Sequence, residues 1–287
     1  MAKEVKNIGT SVRAKLLALS KSNGQTFDLV LTRFALERLL YRLAQSEFSE
    51  RFVLKGALLL ITWLENPHRP TRDLDLLGYG DPDPQRMLEA FRKILATDLD
   101  DGITFDIAGL RIDHIREELE YGGVRLRTTA TIAGARIAVT IDIGFGDATE
   151  PGIEVLDYPT LLDLPKPRLK AYAPETVIAE KFQAMVMLGQ ANSRMKDFYD
   201  IWILSRSLTF DPVRISAAIK ATFERRKTPI PTETPWALTT SFSEDLQKQR
   251  QWRAFCQDIG QEPGTLSDIV GDLRAFLMPY IEARGQQ

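Results

Sequence analysis

The chain has 287 residues, of which 44% are hydrophobic and 26% are charged, as in ordinary globular proteins with a sizeable core. Its single cysteine, Cys256, excludes an intramolecular disulfide framework and favours a reducing cytosol. A formal net charge of −2 excludes polyanion binding through the bulk field of the molecule. We expect a cytoplasmic protein, because the N-terminus has no apolar signal core and no run is long enough to span a membrane.

Residues 9–50 are predicted to be helical. The segment from Thr26 to Ser46 carries a wide apolar stripe at helical spacing, so we expect it to pack on a sheet, with partner binding as the alternative. Its charged side chains fall outside the stripe and are predicted to face solvent: Arg33, Glu37, Arg38 and Arg42.

The apolar run from Val53 to Ile61 is interrupted by Lys55, Gly56 and Ala57. Small residues let the backbone approach a ligand closely, and a helix that starts here would offer free N–H groups to a phosphate. We predict such a phosphate-binding helix from Lys55 to Leu64. The alternative is that Gly56 serves packing alone.

Asp73 and Asp75 lie in a predicted strand from Thr71 to Leu77. The side-chain period of a strand is two, so both carboxylates leave the same face and repel each other. A divalent cation removes this conflict, and Mg²⁺ prefers carboxylates together with substrate phosphates. The alternative is a pair of aspartates that only cap a loop.

A third aspartate, Asp142, lies in the second strand of a predicted β-hairpin formed by residues 124–132 and 136–145. Four alternating residues of that strand are predicted to face the core: Ile137, Val139, Ile141 and Ile143. Asp142 therefore points the other way, among small neighbours. We predict that it completes a metal site, with a surface aspartate as the alternative.

The second half of the chain is predicted to be mostly helical. Residues 158–173 contain three prolines and are predicted to form a linker, followed by a helix from Pro174 to Leu188 and another from Arg194 to Arg206. The expected fold is α+β, with a small mixed sheet and a helical C-terminal lobe. The N-terminal lobe spans residues 1–157, with its sheet at 51–150, and the helical lobe spans 174–287.

Three sequence motifs together resemble those of a known family. They are residues 52–57 (Phe-Val-Leu-Lys-Gly-Ala), residues 71–76 (Thr-Arg-Asp-Leu-Asp-Leu), and Glu180-Lys181 followed by residues 192–200. They are similar to the AbiEii/AbiGii toxins, within the DNA-polymerase-β-like nucleotidyltransferases, over about Thr26 to Leu208. One departure is Ala57, which stands where some members have a serine.

The resemblance implies a nucleotidyl transfer that uses a nucleoside triphosphate and two Mg²⁺ ions. Asp73 and Asp75 would bind both metals, and Asp142 would bind the metal that activates the attacking hydroxyl. Gly56 and Ala57 would hold the leaving phosphates. Three neighbouring residues would assist them: Lys55, Thr71 and Arg72.

The resemblance also implies that Lys181 and Asp197 are catalytic residues. Lys181 would neutralise the triphosphate, and Asp197 would orient that lysine or bind the ribose or base. Asp200 is one helical turn from Lys196 and is expected to pair with it.

The implied biology is a bacterial toxin–antitoxin or phage-defence pair. The toxin would add nucleotides to the 3′ acceptor end of tRNA and block translation, and a winged-helix antitoxin would neutralise it. Two alternatives stay open: the same chemistry on a protein or small-molecule acceptor, and a nucleotide-binding module that acts through a partner without turnover.

Overall fold

The computed structural model describes residues 7–64, 69–115 and 123–282. These residues form two compact units. The sheet unit contains residues 7–62, 70–115, 123–146 and 154–171, and the helical unit contains residues 63–64, 69, 147–153 and 172–282.

The sheet unit is built on a mixed sheet of eight strands. Their bounds are β1 Phe52–Lys55, β2 Asp73–Gly78, β3 Thr104–Phe105, β4 Arg111–Ile115, β5 Gly123–Ile132, β6 Ala135–Phe145, β7 Ile153–Asp157 and β8 Arg168–Tyr172. The order across the sheet is β3-β5-β6-β2-β1-β8-β7, and β4 also pairs with β5. The pairs β2–β6 and β1–β8 are parallel, whereas β1–β2 and β5–β6 are antiparallel. The predicted α+β class with a mixed sheet is confirmed.

The helices of the described residues follow in chain order. They are α1 Ile8–Ser22, α2 Phe27–Ala44, α3 Leu60–Trp63, α4 Pro84–Leu95, α5 Pro174–Leu188, α6 Met195–Ser207, α7 Pro212–Arg225, α8 Thr240–Ser243, α9 Leu246–Ile259, α10 Leu266–Leu277 and α11 Pro279–Glu282. Helix α5 has the predicted bounds, with its proline at the first turn and Gly189 following its last residue. No helix in these ranges is long and apolar enough to cross a membrane.

The segment that the sequence predicts to be a linker is partly a strand. Strand β8 lies within residues 158–173 and pairs in parallel with β1, where Ala171 is the Cα partner of Leu54. The prolines at 165 and 167 precede this strand, where a missing N–H interrupts no ladder. The sheet unit therefore includes chain beyond the predicted N-terminal lobe.

The charged residues of α2 contradict the prediction that they face solvent, because Glu37, Arg38 and Arg42 are all buried. Arg38 donates to Asp101 at 3.1 Å, and Arg42 donates to both oxygens of the same carboxylate at 2.7 and 3.1 Å. Arg42 also donates to the carbonyls of residues 97 and 103. Buried charge is tolerated here because it is paired and hydrogen-bonded, which helical periodicity does not reveal.

Glu37 makes the stability of this packed region depend on pH. Its carboxylate accepts a hydrogen bond from the backbone N–H of Leu161 at 2.7 Å. Burial raises the pKa of Glu37 from 4.5 to about 7, against the opposing effect of that hydrogen bond and of Arg38 and Arg33. The folded state therefore disfavours the ionised form. The contribution of Glu37 to stability is complete below about pH 4.5 and is lost as the pH rises through about 7.

We predict that Glu37→Gln, which keeps an acceptor for Leu161, is more stable than the wild type at pH 8, by up to about 3 kcal/mol. The difference should shrink towards pH 5, where the wild type holds its proton. Urea denaturation at the two pH values measures it. Glu89→Gln, at an exposed site on α4, is the control. An equal effect of Glu37→Gln at both pH values contradicts the assignment.

Candidate active site

A row of charged residues crosses one face of the sheet. Lys55 on β1, Asp75 on β2, Asp142 on β6 and Arg125 on β5 are successive Cα partners across neighbouring strands. Directly paired residues project from the same face of a sheet, so these four side chains lie side by side. We call them the carboxylate row. Asp73 projects from the same face two residues before Asp75.

The predicted orientation of Asp142 is confirmed. The alternating apolar side chains of β6 are buried: Ile137, Val139, Ile141 and Ile143. Asp142 lies on the opposite face of β6 and is the direct partner of Asp75 on the neighbouring parallel strand. The structure thus brings together two carboxylates that are 67 positions apart in the chain.

Gly56 contacts the carboxylate row through its backbone. Its φ angle is +75°, and a Cβ atom built at this position would lie 2.2 Å from Oδ2 of Asp75. Only glycine combines this backbone conformation with such a close approach. The first residue after β1 is therefore fitted against the central carboxylate of the row.

The helix predicted from Lys55 to Leu64 has a different form. Lys55 ends β1, Gly56–Leu59 is a 3₁₀ turn, and only Leu60–Trp63 is α-helical. The positive φ angle of Gly56 turns the chain out of the strand, and the α-helix begins only after the 3₁₀ turn. A single short turn sums few peptide dipoles, so the dipole supplies little of the expected attraction for phosphate.

Arg125 is a member of the row that sequence reasoning missed. Its Nε donates to Oδ1 of Asp142 at 2.6 Å, and its Nη2 donates to Oδ2 at 2.5 Å. The hydrogen bond to Asp142 raises the pKa of Arg125; burial acts in the opposite direction, and the charges of Asp142, Asp73 and Asp75 raise the pKa further. The sequence signal for Arg125 was its place on the polar face of β5, where the register of the hairpin makes it the direct partner of Asp142.

The carboxylates of Asp73, Asp75 and Asp142 have the oxygen chemistry that Mg²⁺ requires. Across residues 7–64, 69–115 and 123–282, however, no group of three or more His, Cys, Asp or Glu side chains is arranged to hold a metal ion. In this row the guanidinium of Arg125 engages both oxygens of Asp142. Asp142 would therefore bind a metal only after Arg125 releases it.

The other predicted nucleotide-binding residues lie near the start of β2 and after β1. Ala57 is half-buried in the 3₁₀ turn, and Thr71 is half-buried two residues before Asp73. Arg72 is exposed and forms an ion pair with Asp28 of α2. His68 is not predicted to bind a metal, because no second His or Cys stands at ligand spacing, and it lies outside the described residues.

The helical unit holds a second charged cluster. Nζ of Lys181 on α5 lies 2.8 Å from Oδ1 of Asp197 and 2.8 Å from Oδ2 of Asp200, both on α6. Arg69 binds both oxygens of Asp200, at 2.6 and 2.7 Å, and Nε of Arg194 lies 2.6 Å from Oδ2 of Asp197. The two aspartates are almost completely buried. The structure thus places the predicted catalytic pair, Lys181 and Asp197, in direct contact.

Asp200 differs from the prediction that it pairs with Lys196. Its partners are Lys181 and Arg69, and Arg69 is 131 positions away in the chain. Burial tends to raise the pKa of Asp200, but Lys181 and Arg69 outweigh it and lower the value to about 2. Burial likewise tends to lower the pKa of Lys181, but Asp197 and Asp200 reverse the direction and raise it. The lysine is held in its charged form.

The fold has relatives among solved structures. JHP933 from Helicobacter pylori aligns with a TM-score of 0.51 and 15% identity, over 88% of this chain and 92% of that chain. A protein described as a candidate nucleotidyltransferase from H. pylori aligns with a TM-score of 0.50 and 15% identity, over 88% and 94% of the two chains. At this identity the comparison shows the fold alone, that of nucleotidyltransferase-like proteins.

The family follows from the sequence model that matches residues 38–277, which is described as the nucleotidyl transferase AbiEii toxin of type IV toxin–antitoxin systems. The chain belongs to this family and is a nucleotidyltransferase. The match confirms the family that the three sequence motifs indicate. No curated protein sequence matches the chain significantly.

We predict that Gly56→Ala destabilises the protein more than Gly80→Ala. Both glycines have positive φ angles, but a Cβ at Gly80 meets no atom within 4 Å, whereas at Gly56 it meets Asp75. Strain alone costs about 1–2 kcal/mol, and the clash should add about 1–3 kcal/mol. Chemical denaturation of both variants measures the difference. Equal losses would show that the contact with Asp75 does not constrain residue 56.

We predict that Asp200→Asn costs about 3–5 kcal/mol at pH 7, because it leaves two buried cations with too little negative charge. Asp272→Asn, at an ion pair in which Asp272 is 44% exposed, is the control and should cost less than about 1 kcal/mol. Since the folded pKa of Asp200 is about 2, its contribution is present above about pH 4 and is lost as the pH falls. Thermal melts of the wild type and of Asp200→Asn should therefore differ less at pH 3 than at pH 7.

Proposed function

We propose that this chain is a Mg²⁺-dependent toxin that transfers a nucleoside monophosphate from a nucleoside triphosphate to the 3′ acceptor end of tRNA, which blocks translation as part of phage defence. The observation that carries the transferase site is the carboxylate row, in which Asp75 touches Gly56 and lies directly opposite Asp142. The choice of tRNA rests on the resemblance to the toxin family.

The residues of the sheet unit would position the triphosphate. Asp73 and Asp75 would hold Mg²⁺, and Asp142 would join them near the attacking hydroxyl. When bound, the metal neutralises charge on the phosphates. The backbone at Gly56 and Ala57 would hold the leaving phosphates. Assistance would come from three neighbouring side chains: Lys55, Thr71 and Arg72.

The reaction needs no covalent intermediate on the protein. The oxygen of the acceptor hydroxyl forms a bond to the α-phosphorus, and the bond from that phosphorus to the bridging oxygen breaks. Pyrophosphate leaves with the electron pair, and the proton of the hydroxyl goes to solvent. Catalysis on this account consists of positioning and charge neutralisation.

The helical unit would contribute Lys181 and Asp197. The ammonium of Lys181 stays charged beside two buried carboxylates, and one of its three N–H donors would bind a phosphate oxygen. Asp197 would fix its position. Asp200 and Arg69 would hold this pair in place.

The expected partner is an antitoxin, as the type IV family implies. We propose that it is of the winged-helix type and that the pair acts in the cytoplasm. The type of antitoxin rests on the family resemblance, and the cytoplasmic location rests on the single cysteine, which favours a reducing compartment.

We predict that the purified protein, incubated with total bacterial tRNA, Mg²⁺ and each α-labelled nucleoside triphosphate in turn, labels tRNA. Asp75→Asn should reduce labelling to background, because it removes a central metal ligand. Asp157→Asn is the control, since this exposed aspartate on β7 pairs with Arg168 outside the row. It should label like the wild type.

The other outcomes separate the alternatives. Label on protein or on a small molecule would show the same chemistry on another acceptor. Retention of intact nucleotide without any labelled acceptor would contradict nucleotidyl transfer and favour a binding module. Labelling of tRNA by Asp75→Asn would contradict the assignment of the site.

A further inference from the structure

The ion pair between Arg125 and Asp142 occupies both oxygens of the carboxylate. One guanidinium donates to both oxygens, at 2.6 and 2.5 Å, in the fork-to-fork geometry of the strongest charge-assisted hydrogen bonds. Asp142 is thus neutralised and turned towards β5. A metal that needs the same oxygens must compete with the guanidinium.

Arg125 also offsets the electrostatic repulsion among the three carboxylates of the site. Asp73, Asp75 and Asp142 leave one face of two neighbouring strands, and the charges of all three act on Arg125. Without a cation, three carboxylates this close disfavour their common ionised state. The guanidinium of Arg125 supplies positive charge at one end of the row, and Lys55, the direct partner of Asp75, is the cation at the other end.

The side chain of Arg125 is placed so that it can leave Asp142. It is 35% exposed, so solvent reaches it while it is bound. Its Cα partner on the other side, Asp113 on β4, is bound to Arg127. A released guanidinium would therefore stay beside the row, in reach of an incoming anion.

We propose that Arg125 is a positioning residue that holds Asp142 in the metal-free protein and gives it up when a divalent cation binds. The released guanidinium then faces the triphosphate that accompanies the cation. This inference rests on the proposed function, because it takes Asp142 as a metal ligand. Arg125 would thus control when the carboxylate of Asp142 becomes available to bind a metal.

The test is a titration with Mn²⁺ alone, followed by electron paramagnetic resonance, on full-length protein. Four proteins form a double-mutant cycle: wild type, Arg125→Gln, Asp142→Asn and the double variant. Arg125→Gln should bind Mn²⁺ about tenfold more tightly, because the competitor for Asp142 is gone. In the Asp142→Asn background the same change should alter the affinity less than about twofold.

Arg127→Gln serves as the matched control. It removes one positive charge from the same face, two residues away on β5, where the partner is Asp113. Its Mn²⁺ affinity should stay within about twofold of the wild type. Arg125→Lys, which keeps the charge and loses the paired hydrogen bonds, should fall between the wild type and Arg125→Gln. Thermal melts check that each variant is folded.

Two results overturn the proposal. The first is an unchanged Mn²⁺ affinity in Arg125→Gln, including the absence of binding in both proteins. The second is an equal gain in the Asp142→Asn background, which would show an effect of charge alone. Because the titration contains no nucleotide or acceptor, a failure to label tRNA would leave this outcome unaffected, and the two failures stay distinguishable.

Discussion

The mutual repulsion of carboxylates on one face of a sheet is the constraint around which the sheet unit is arranged. Asp73 and Asp75 leave the same face of β2, and parallel pairing with β6 adds Asp142 directly beside Asp75. Such a group is stable only beside positive charge. Arg125 beside Asp142 and Lys55 beside Asp75 provide that charge, while Gly56 lies so close to Asp75 that no side chain fits. This arrangement is the basis of the proposal that the row holds a cation together with a phosphate.

The same principle governs the buried charges elsewhere in the chain. In the helical unit, Lys181 lies between Asp197 and Asp200, and Arg69 completes the pairing. In the sheet unit, Asp101 receives two arginines from α2. Each group is buried at a cost that its partner offsets, so removing one member leaves the other uncompensated. These clusters help to fix the positions of α2, α5 and α6.

The sequence predicts the elements that follow a simple period. The alternation in β6 placed Asp142 on the face opposite Ile141, and the proline at 174 with the glycine at 189 marked α5 to the residue. What periodicity could not supply was the identity of distant partners. Arg69 and Asp200 are 131 positions apart, and the spacing of α2 predicts solvent-facing arginines because their partner Asp101 lies on a different segment. The contact between Arg125 and Asp142 was predictable, since the register of the hairpin sets the two residues opposite each other.

A crystal structure with Mn²⁺ and a non-hydrolysable nucleoside triphosphate analogue tests the central claim most directly. The account predicts anomalous density for Mn²⁺ bonded to Asp73 and Asp75, with the triphosphate against the backbone of Gly56. Phosphate oxygens should complete the coordination at about 2.0–2.2 Å. Nucleotide bound away from β2, or Mn²⁺ absent from these two carboxylates while nucleotide is present, would contradict the account.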